Sequence, residues 1–268
     1  MKVVLFCGGL GLRLRDHSER LPKPMVRIGF RPILWHVMKY YAHFDHKDFV
    51  LCLGYKADVV KEYFLTYNEA LSNDFVLSGN GHSNGDDIPR GNRVELLGSD
   101  IHDWRITFAD TGMHANIGER LKAVQGYVGN EDVFLANYGD VLTDVHLPDL
   151  VDDFLRRDAV AAFVCVKPTY TFHVVNTQDD GTVERIDDVN GADIWINGGY
   201  MILRKEIFDY LGEGEELVVE PFQRLIKQNL LVGYRYEGFW APMDTLKDLQ
   251  HLESLYETGR PAWALWQR

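Results

Sequence analysis

Cysteine, long apolar runs and positive charge are all scarce in this chain of 268 residues. The three cysteines, Cys7, Cys52 and Cys165, lie in short runs rich in Val, Leu or Phe. This setting predicts buried, reduced thiols and excludes a disulfide framework, so it favours a reducing compartment. No apolar run approaches membrane length, and the N-terminal run is too short for the core of a signal peptide. We therefore expect a soluble cytoplasmic protein without a membrane partner.

Basic residues are outnumbered, with 28 Lys and Arg against 40 Asp and Glu, which gives a net charge of -12. This balance argues against nucleic acid as a partner held by general charge attraction. It leaves small anionic ligands open, because a few local cations outweigh a distant negative field. Hydrophobic residues make up 46% of the chain, which is ample for a core and excludes disorder as the main state.

Short buried runs alternate with amphipathic segments over about the first 140 residues, which is typical of an α/β domain with a mostly parallel sheet. We predict strands at Lys2–Cys7, Asp48–Leu53, Ile106–Ala109 and Asp132–Asn137, and helices at Pro32–Phe44, Ala57–Tyr67 and Gly118–Val128. Further strands are predicted at Ala159–Lys167 and Ile194–Arg204, a hairpin at Phe172–Asn176 with Thr182–Ile186, and helices at Leu147–Arg156, Glu220–Asn229 and Thr245–Thr258.

Glycine, asparagine, aspartate and serine dominate the stretch from about 71 to 104. Such a composition predicts a loop or a small hairpin that leaves the main fold. No internal repeat or low-complexity linker divides the chain, so we expect a single domain over residues 1–268.

A glycine-rich turn, CGGLGLRL at residues 7–14, follows the first predicted strand directly. It has neither the Gly-Lys-Ser/Thr ending of a P-loop nor the G-x-G-x-x-G dinucleotide pattern. Its glycines allow backbone N–H groups to approach phosphate, and Arg13 offers a planar fork for the same group. Lys23 lies between Pro22 and Pro24, which hold it on a stiff extended segment. We interpret both cations as phosphate ligands; the alternatives are a structural turn and a solvated lysine.

Two aspartates occupy positions where an α/β sheet places its ligands. Asp140 follows Gly139 at the carboxyl end of a predicted strand, and Asp244 lies just before the last predicted helix. Together they are suited to hold one Mg²⁺, with water and substrate phosphates completing the shell. The alternative for Asp244 is a helix N-cap, a role for which Thr245 competes.

These motifs resemble those of the sugar-1-phosphate nucleotidylyltransferases, most closely the glucose-1-phosphate cytidylyltransferase branch, over nearly the whole chain. The matching stretches are Gly8–Gly11 with Arg13, Lys23–Met25, Pro32–His36, Gly54–Lys56, Lys61–Phe64, Asp110–Gly112, Gly118 with Arg120–Lys122, Tyr138–Asp140, Ile196–Gly199, and Phe239–Trp240 with Pro242–Thr245. The tail, Gly259 with Pro261–Trp263, is also similar to that branch.

The resemblance implies a Rossmann-like fold, with a mixed, mostly parallel central sheet flanked by helices, in a homo-oligomer. The implied nucleotide site comprises Phe6, Cys7, Gly8, Gly9, Leu10, Gly11, Leu12, Arg13, Lys23, Arg120 and Gly139, of which Arg13 and Lys23 are the implied catalytic residues. Asp140 and Asp244 would hold Mg²⁺, and Asn197 with Gly198 would contact the acceptor.

The chain departs from the family pattern at two places. Leu12 stands where the glycine loop usually carries Thr or Ser, so one hydroxyl contact near the phosphates is absent. The stretch from Arg185 to Asn190 lacks the lysine that usually binds the phosphate of the sugar 1-phosphate. We expect another cation to bind that phosphate, with Lys167 and Arg185 as candidates.

The expected reaction is Mg²⁺-dependent nucleotidyl transfer from a nucleoside triphosphate to a phosphorylated small molecule, with release of pyrophosphate. CTP and glucose 1-phosphate are the favoured substrates. The alternatives are UTP or dTTP as donor, and a phosphate or phosphonate other than a hexose phosphate as acceptor. A non-catalytic sensor of nucleotides or nucleotide sugars on the same fold is the alternative from another class.

Overall fold

The structure, a computed structural model, describes residues 1–9, 21–79, 93–168, 173–189 and 193–267. Its strands are β1 (Lys2–Phe6), β2 (Arg27–Ile28), β3 (Arg31–Pro32), β4 (Asp48–Leu53), β5 (Phe75–Ser78), β6 (Arg93–Leu96), β7 (Arg105–Asp110), β8 (Val133–Asn137), β9 (Val141–Thr143), β10 (Ala161–Val166), β11 (His173–Thr177), β12 (Val183–Asp188), β13 (Ile196–Arg204), β14 (Leu231–Tyr236) and β15 (Trp240–Pro242). Its α-helices are α1 (Ile33–His43), α2 (Ala57–Leu65), α3 (Ile117–Ala123), α4 (Gln125–Val128), α5 (Leu147–Leu155), α6 (Glu220–Lys227) and α7 (Leu246–Glu257).

The central sheet of the described chain has seven strands in the order β14-β10-β13-β8-β1-β4-β7. β13 runs antiparallel to both of its neighbours, and the other pairings are parallel. The expected fold class, a Rossmann-like α/β fold with a mixed and mostly parallel sheet, is therefore confirmed. Because six strands share one direction, their carboxyl ends lie at one edge of the sheet, which is where such folds bind ligands.

Helices cover both faces of this sheet, which explains why its strands read as continuous apolar runs. Successive side chains of β1 point to opposite faces, so Val3 and Leu5 enter one core cluster while Val4 and Phe6 enter the other. Helices α1, α2, α5 and α7 complete the first cluster, and α3, α4 and α6 complete the second. None of the described helices is long and apolar enough to cross a bilayer.

Several predicted elements are confirmed with small shifts at their ends. β4 has the predicted bounds, whereas α1 begins at Ile33 because Pro32 pairs with Arg27 in a short hairpin. β14 and the pairing of β9 with β15 were not expected, because these short strands carry weak alternation. The thiols of Cys7 and Cys52 are free and buried, as predicted, and that of Cys165 is free and partly buried.

The excursion between about 71 and 104 includes an antiparallel pair, β5 with β6, whose side chains are all exposed. Residues 80–92 of this stretch lie outside the described ranges. The buried Arg31 ties both flanks of the pair to the main fold: it donates to the Asn68 carbonyl at 2.8 Å and lies 3.6 Å from the Asp100 carboxylate.

The C-terminal segment packs on α1 through His36. Trp263 Nε1 donates to His36 Nδ1 at 3.3 Å, and His36 Nε2 lies 3.1 Å from the Ile28 carbonyl. Burial lowers the pKa of His36 to about 4, so the imidazole is neutral and both ring nitrogens have a partner. Nearby, the amide of Gly29 donates to the carboxylate of Glu253 at 3.1 Å.

Candidate active site

Lys23, Asp140 and Asp244 meet at the carboxyl edge of the sheet although they are far apart in sequence. Lys23 Nζ donates to Asp140 Oδ2 and to Asp244 Oδ1, each at 2.6 Å. The lysine begins a short 3₁₀ turn, Lys23–Met25, that follows the extended Pro22. The side chains are 14%, 21% and 26% exposed in that order, so the cluster is open to a ligand at its surface.

The lysine and the two carboxylates of this cluster stabilise each other's charged forms. Burial lowers the pKa of Lys23, but Asp140 and Asp244 outweigh that effect and raise the pKa overall. Burial raises the pKa of Asp140 against the opposing charge of Lys23. The charged lysine thus compensates one of two neighbouring carboxylates and leaves a net negative site that suits a cation.

Backbone contacts join the two segments that carry the aspartates. The amide of Met243 donates to the Asp140 carbonyl at 3.0 Å, and Pro242 pairs with Val141 in the β9–β15 ladder. Gly139 precedes Asp140 with a φ of +80°, a left-handed conformation that favours glycine. The two carboxylates are therefore held by the ends of rigid elements.

Thr245, and not Asp244, caps the last helix. Its side chain accepts the amide of Asp248, and the Asp248 carboxylate accepts the amide of Thr245 in return. The N-cap alternative for Asp244 is therefore wrong, and its carboxylate is directed to Lys23 instead.

Arg120 lies beneath the start of the glycine turn, with its side chain buried. Its guanidinium donates to the Leu53 carbonyl at 3.2 Å, to Thr111 Oγ1 at 2.7 Å and to the Gly8 carbonyl at 3.0 Å. A Cβ atom at Gly8 would overlap this guanidinium. In these contacts Arg120 positions the backbone of the turn.

The remaining residues of the implied nucleotide site differ in what they expose. Phe6 and Cys7 are buried, and burial raises the pKa of the Cys7 thiol, so they present backbone and not side chains. Gly9 is exposed, and no atom of the described part of the chain lies within 4 Å of the position that a Cβ would take. The predictions for Leu10, Gly11, Leu12 and Arg13 concern residues outside the described ranges.

Asn197 and Gly198 lie at the same sheet edge, beside the segment that leads to Asp140. Asn197 Nδ2 donates to the Tyr138 hydroxyl at 3.0 Å, and Asn197 Oδ1 accepts the amide of Gly199 at 2.9 Å. Trp240 Nε1 donates to the Gly198 carbonyl at 2.8 Å. These contacts fix the backbone at the position where the acceptor was expected.

The two predicted acceptor cations have different partners in the structure. Lys167 Nζ lies 3.1 Å from Asp193 Oδ1 and 4.4 Å from the centre of the Trp195 ring. Arg185 lies on the exposed strand β12, where it pairs with Asp187. The structure therefore favours Lys167 over Arg185 as a cation at the edge of the sheet.

Sequence reasoning missed Arg235, whose guanidinium carbon lies 5.0 Å from the centre of the Trp195 ring. Arg235 belongs to β14, a strand that was not expected. The sequence offered only a weak signal, the six-residue run LVGYRY; the alternation of partly buried residues with exposed Gly233 and Arg235 is seen only in the structure.

Comparisons with known proteins point to one family. Residues 2–258 match the family of nucleotidyl transferases. The chain is 35% identical over 269 residues to glucose-1-phosphate cytidylyltransferase of Salmonella typhi, with full coverage of both chains. It is 34% identical over 268 residues to the probable glucose-1-phosphate cytidylyltransferase of Bacillus subtilis, covering 99% of this chain and 100% of the relative.

Solved structures share the fold at lower identity. HddC from Yersinia pseudotuberculosis aligns with a TM-score of 0.66 and 20% identity, covering 95% of this chain and 99% of that one. UDP-glucose pyrophosphorylase complexed with UDP-glucose aligns with a TM-score of 0.68 and 13% identity, covering 97% and 99%. From its full-length relatives and its family match, the chain belongs to the nucleotidyl transferase family and is a nucleotidyltransferase.

Proposed function

We propose that this enzyme transfers a cytidylyl group from CTP to a sugar 1-phosphate, with glucose 1-phosphate as the favoured acceptor, and releases pyrophosphate. The base and the sugar rest on the relatives, which are cytidylyltransferases by name. The observation that supports the chemistry is Lys23, held between Asp140 and Asp244 at the ligand-binding edge of the sheet.

In the proposed reaction, an oxygen of the acceptor phosphate attacks the α-phosphorus of CTP in line. A new P–O bond forms as the bond between the α-phosphorus and its bridging oxygen breaks, and pyrophosphate leaves with that electron pair. The acceptor phosphate is already anionic at neutral pH, so no strong general base is required. Lys23 and Arg13 are proposed to position the triphosphate and to stabilise the charge that develops on it.

Asp140 and Asp244 are proposed to hold Mg²⁺. Magnesium in enzymes is bound through one or two carboxylates, with water and substrate phosphates as the other ligands. Two converging, partly exposed carboxylates fit this pattern, and the described residues contain no group of three or more His, Cys, Asp or Glu that would enclose an ion completely. When bound, the ion would neutralise phosphate charge.

The test is pyrophosphate release from CTP, UTP or dTTP, mixed one at a time with Mg²⁺ and a panel of phosphates that includes glucose 1-phosphate. We expect CTP with glucose 1-phosphate to be fastest and omission of Mg²⁺ to abolish turnover. Asp140→Asn and Asp244→Asn should remove most activity. Asp153→Asn is the matched control, since Asp153 pairs with Arg157 on the surface of α5 and should leave the rate unchanged.

A wild-type protein that binds a nucleotide but releases no pyrophosphate with any donor and acceptor would contradict the proposal. That result would favour a non-catalytic nucleotide-sugar sensor.

We also propose that the chain works in the cytoplasm as a single-domain homo-oligomer. The free thiols of Cys7, Cys52 and Cys165 support a reducing compartment. Exposed apolar side chains on β5 and β6, such as Leu77 and Val94, support burial against another copy of the chain. Light scattering tests the assembly: a monomer at micromolar concentration would contradict it.

A further inference from the structure

A second charged cluster lies at the carboxyl edge of the sheet. The proposed reaction assigns no role to it. We call Lys167, Asp193, Trp195 and Arg235 the tryptophan cluster. Lys167 Nζ lies 4.4 Å and Arg235 Cζ 5.0 Å from the centre of the Trp195 ring. Asp193 Oδ1 accepts from Trp195 Nε1 at 2.8 Å and from Lys167 Nζ at 3.1 Å.

The strand register places this cluster next to Asn197. Cys165 of β10 pairs with Asn197 on one side and with Arg235 on the other, so the three residues form one row across β13, β10 and β14. Neighbouring strands lie about 4.8 Å apart, so Arg235 is about 10 Å from Asn197 between Cα atoms. A small ligand that contacts Asn197 is thus within reach of a long side chain from β14.

The strand directions show at which edge of the sheet the tryptophan cluster lies. β10 and β14 run parallel, and both share the direction of β8, which leads to Asp140. Lys167 follows the last residue of β10, and Trp195 precedes the first residue of β13. These residues therefore lie at the same edge of the sheet as the cluster of Lys23, Asp140 and Asp244.

The arrangement concentrates positive charge in a chain whose net charge is -12. Lys167 and Arg235 both lie within about 5 Å of the centre of one ring, and the electron-rich faces of that ring attract cations. Asp193 accepts from Trp195 and Lys167, and these hydrogen bonds, together with the charges of Lys167 and Arg235, hold its pKa below the usual range. The side chain of Asp193 is 81% exposed, so another anion can reach the place that its carboxylate occupies.

We propose that the tryptophan cluster is the anion subsite for the acceptor, in which Lys167 and Arg235 bind the acceptor phosphate and Asp193 occupies the subsite in its absence. This inference rests on the proposed function and deepens it. A phosphate monoester carries about two negative charges at neutral pH, which matches the two cations. Arginine contributes a planar fork and lysine a point charge, a combination suited to a tetrahedral anion.

Steady-state kinetics with CTP and glucose 1-phosphate test this assignment. Arg235→Ala and Lys167→Ala should each raise KM for glucose 1-phosphate roughly tenfold or more, since a charge-assisted contact is lost, while KM for CTP changes by less than about twofold. Arg235→Lys should restore part of the affinity. Asp193→Asn should act in the opposite direction and lower KM for glucose 1-phosphate, because the competing carboxylate is neutralised.

Arg105→Ala is the matched control, because Arg105 is an exposed arginine at the opposite edge of the sheet, where it pairs with Asp48. Inorganic phosphate provides a second readout. It should inhibit the wild type in competition with glucose 1-phosphate and should inhibit Arg235→Ala at least tenfold less well. Thermal unfolding midpoints of the variants, compared with wild type, identify any variant that is not folded.

The inference is overturned if folded Arg235→Ala behaves like Arg105→Ala, or if Asp193→Asn raises KM for glucose 1-phosphate. Its failure is distinguishable from that of the proposed function. If the wild type releases no pyrophosphate, calorimetric titration with glucose 1-phosphate still compares wild type with Arg235→Ala. Weaker binding to the variant would support the subsite, and equal binding would overturn it.

Discussion

Cationic side chains have different surroundings on the two sides of the sheet edge. On the proposed nucleotide side, Arg120 is buried and its guanidinium is enclosed by the carbonyls of Gly8 and Leu53. On the proposed acceptor side, Lys167 and Arg235 lie over the partly exposed ring of Trp195. A cation surrounded by the main chain stabilises the fold, whereas a cation held over an aromatic face can meet a ligand. Residue type alone does not separate the two roles, but burial and hydrogen-bond partners do.

Lys23 lies between these two sides, and its replacement should have the largest effect. Lys23→Met removes the cation shared by Asp140 and Asp244 and is expected to lower kcat by several powers of ten. KM for CTP should change much less, because the charge is needed most as pyrophosphate departs. Initial rates of pyrophosphate release measure both constants.

A wild-type rate for Lys23→Met would show that Lys23 is a solvated side chain with no part in the reaction. Lys23→Arg is the companion variant: it keeps the charge but changes its geometry, so it should retain more activity. Both variants require an unchanged thermal midpoint in the presence of Mg²⁺ for the comparison to hold.

Replacement of Arg120 tests the structural side of the comparison. Arg120→Met should lower the free energy of unfolding by about 3 kcal/mol, since the carbonyls of Gly8 and Leu53 lose their partners in a buried place. Arg235→Ala should change the same quantity by less than about 0.5 kcal/mol. Urea unfolding followed by tryptophan fluorescence measures the free energy of unfolding of both variants. Similar losses in the two variants would contradict a structural role for Arg120 that Arg235 lacks.

The glycine turn offers a smaller and more local test. Gly8→Ala would press a methyl group into the Arg120 guanidinium, so it should lower stability by about 1–3 kcal/mol and raise KM for CTP. Gly9→Ala is its control for stability alone, because no atom of the described residues lies within 4 Å of the Cβ position and the backbone is not left-handed there. Equal losses of stability at the two glycines would contradict the role given to Arg120.

The smallest effect is expected at Arg185. Its side chain is 67% exposed and pairs with Asp187 on a hairpin, where an ion pair contributes little. Arg185→Ala should therefore leave KM for glucose 1-phosphate within about twofold of wild type and leave stability unchanged. A tenfold rise in that KM would make Arg185 the acceptor cation and would remove the preference for Lys167.

Much of the fold could be predicted from local patterns. β1 and β4 read as uninterrupted apolar runs because both faces of the sheet are covered, and the carboxyl ends of such strands mark the ligand edge. Lys23, Asp140 and Asp244 were identified as candidates from their constrained settings, and the structure brings Lys23 within hydrogen-bond distance of both carboxylates.

Other features depend on register and burial, which a single sequence does not contain. Arg235 meets Trp195 because β14 pairs with β10, and β14 has no strong alternation. The contact of Arg120 with the Gly8 carbonyl joins residues 112 positions apart. The local propensities of the residues do not predict such long-range pairings.

The long-range closures also constrain the order in which this molecule forms. Lys23 meets Asp244 across 221 positions, Gly29 meets Glu253 across 224, and His36 meets Trp263 across 227. During synthesis, α1 and the segment of Lys23 leave the ribosome long before their C-terminal partners are synthesised. Their apolar faces are therefore exposed to solvent during this time. Because closing so long a chain segment is entropically costly, these contacts should form late in folding. The proposed active site is therefore completed only after the last helix has been made.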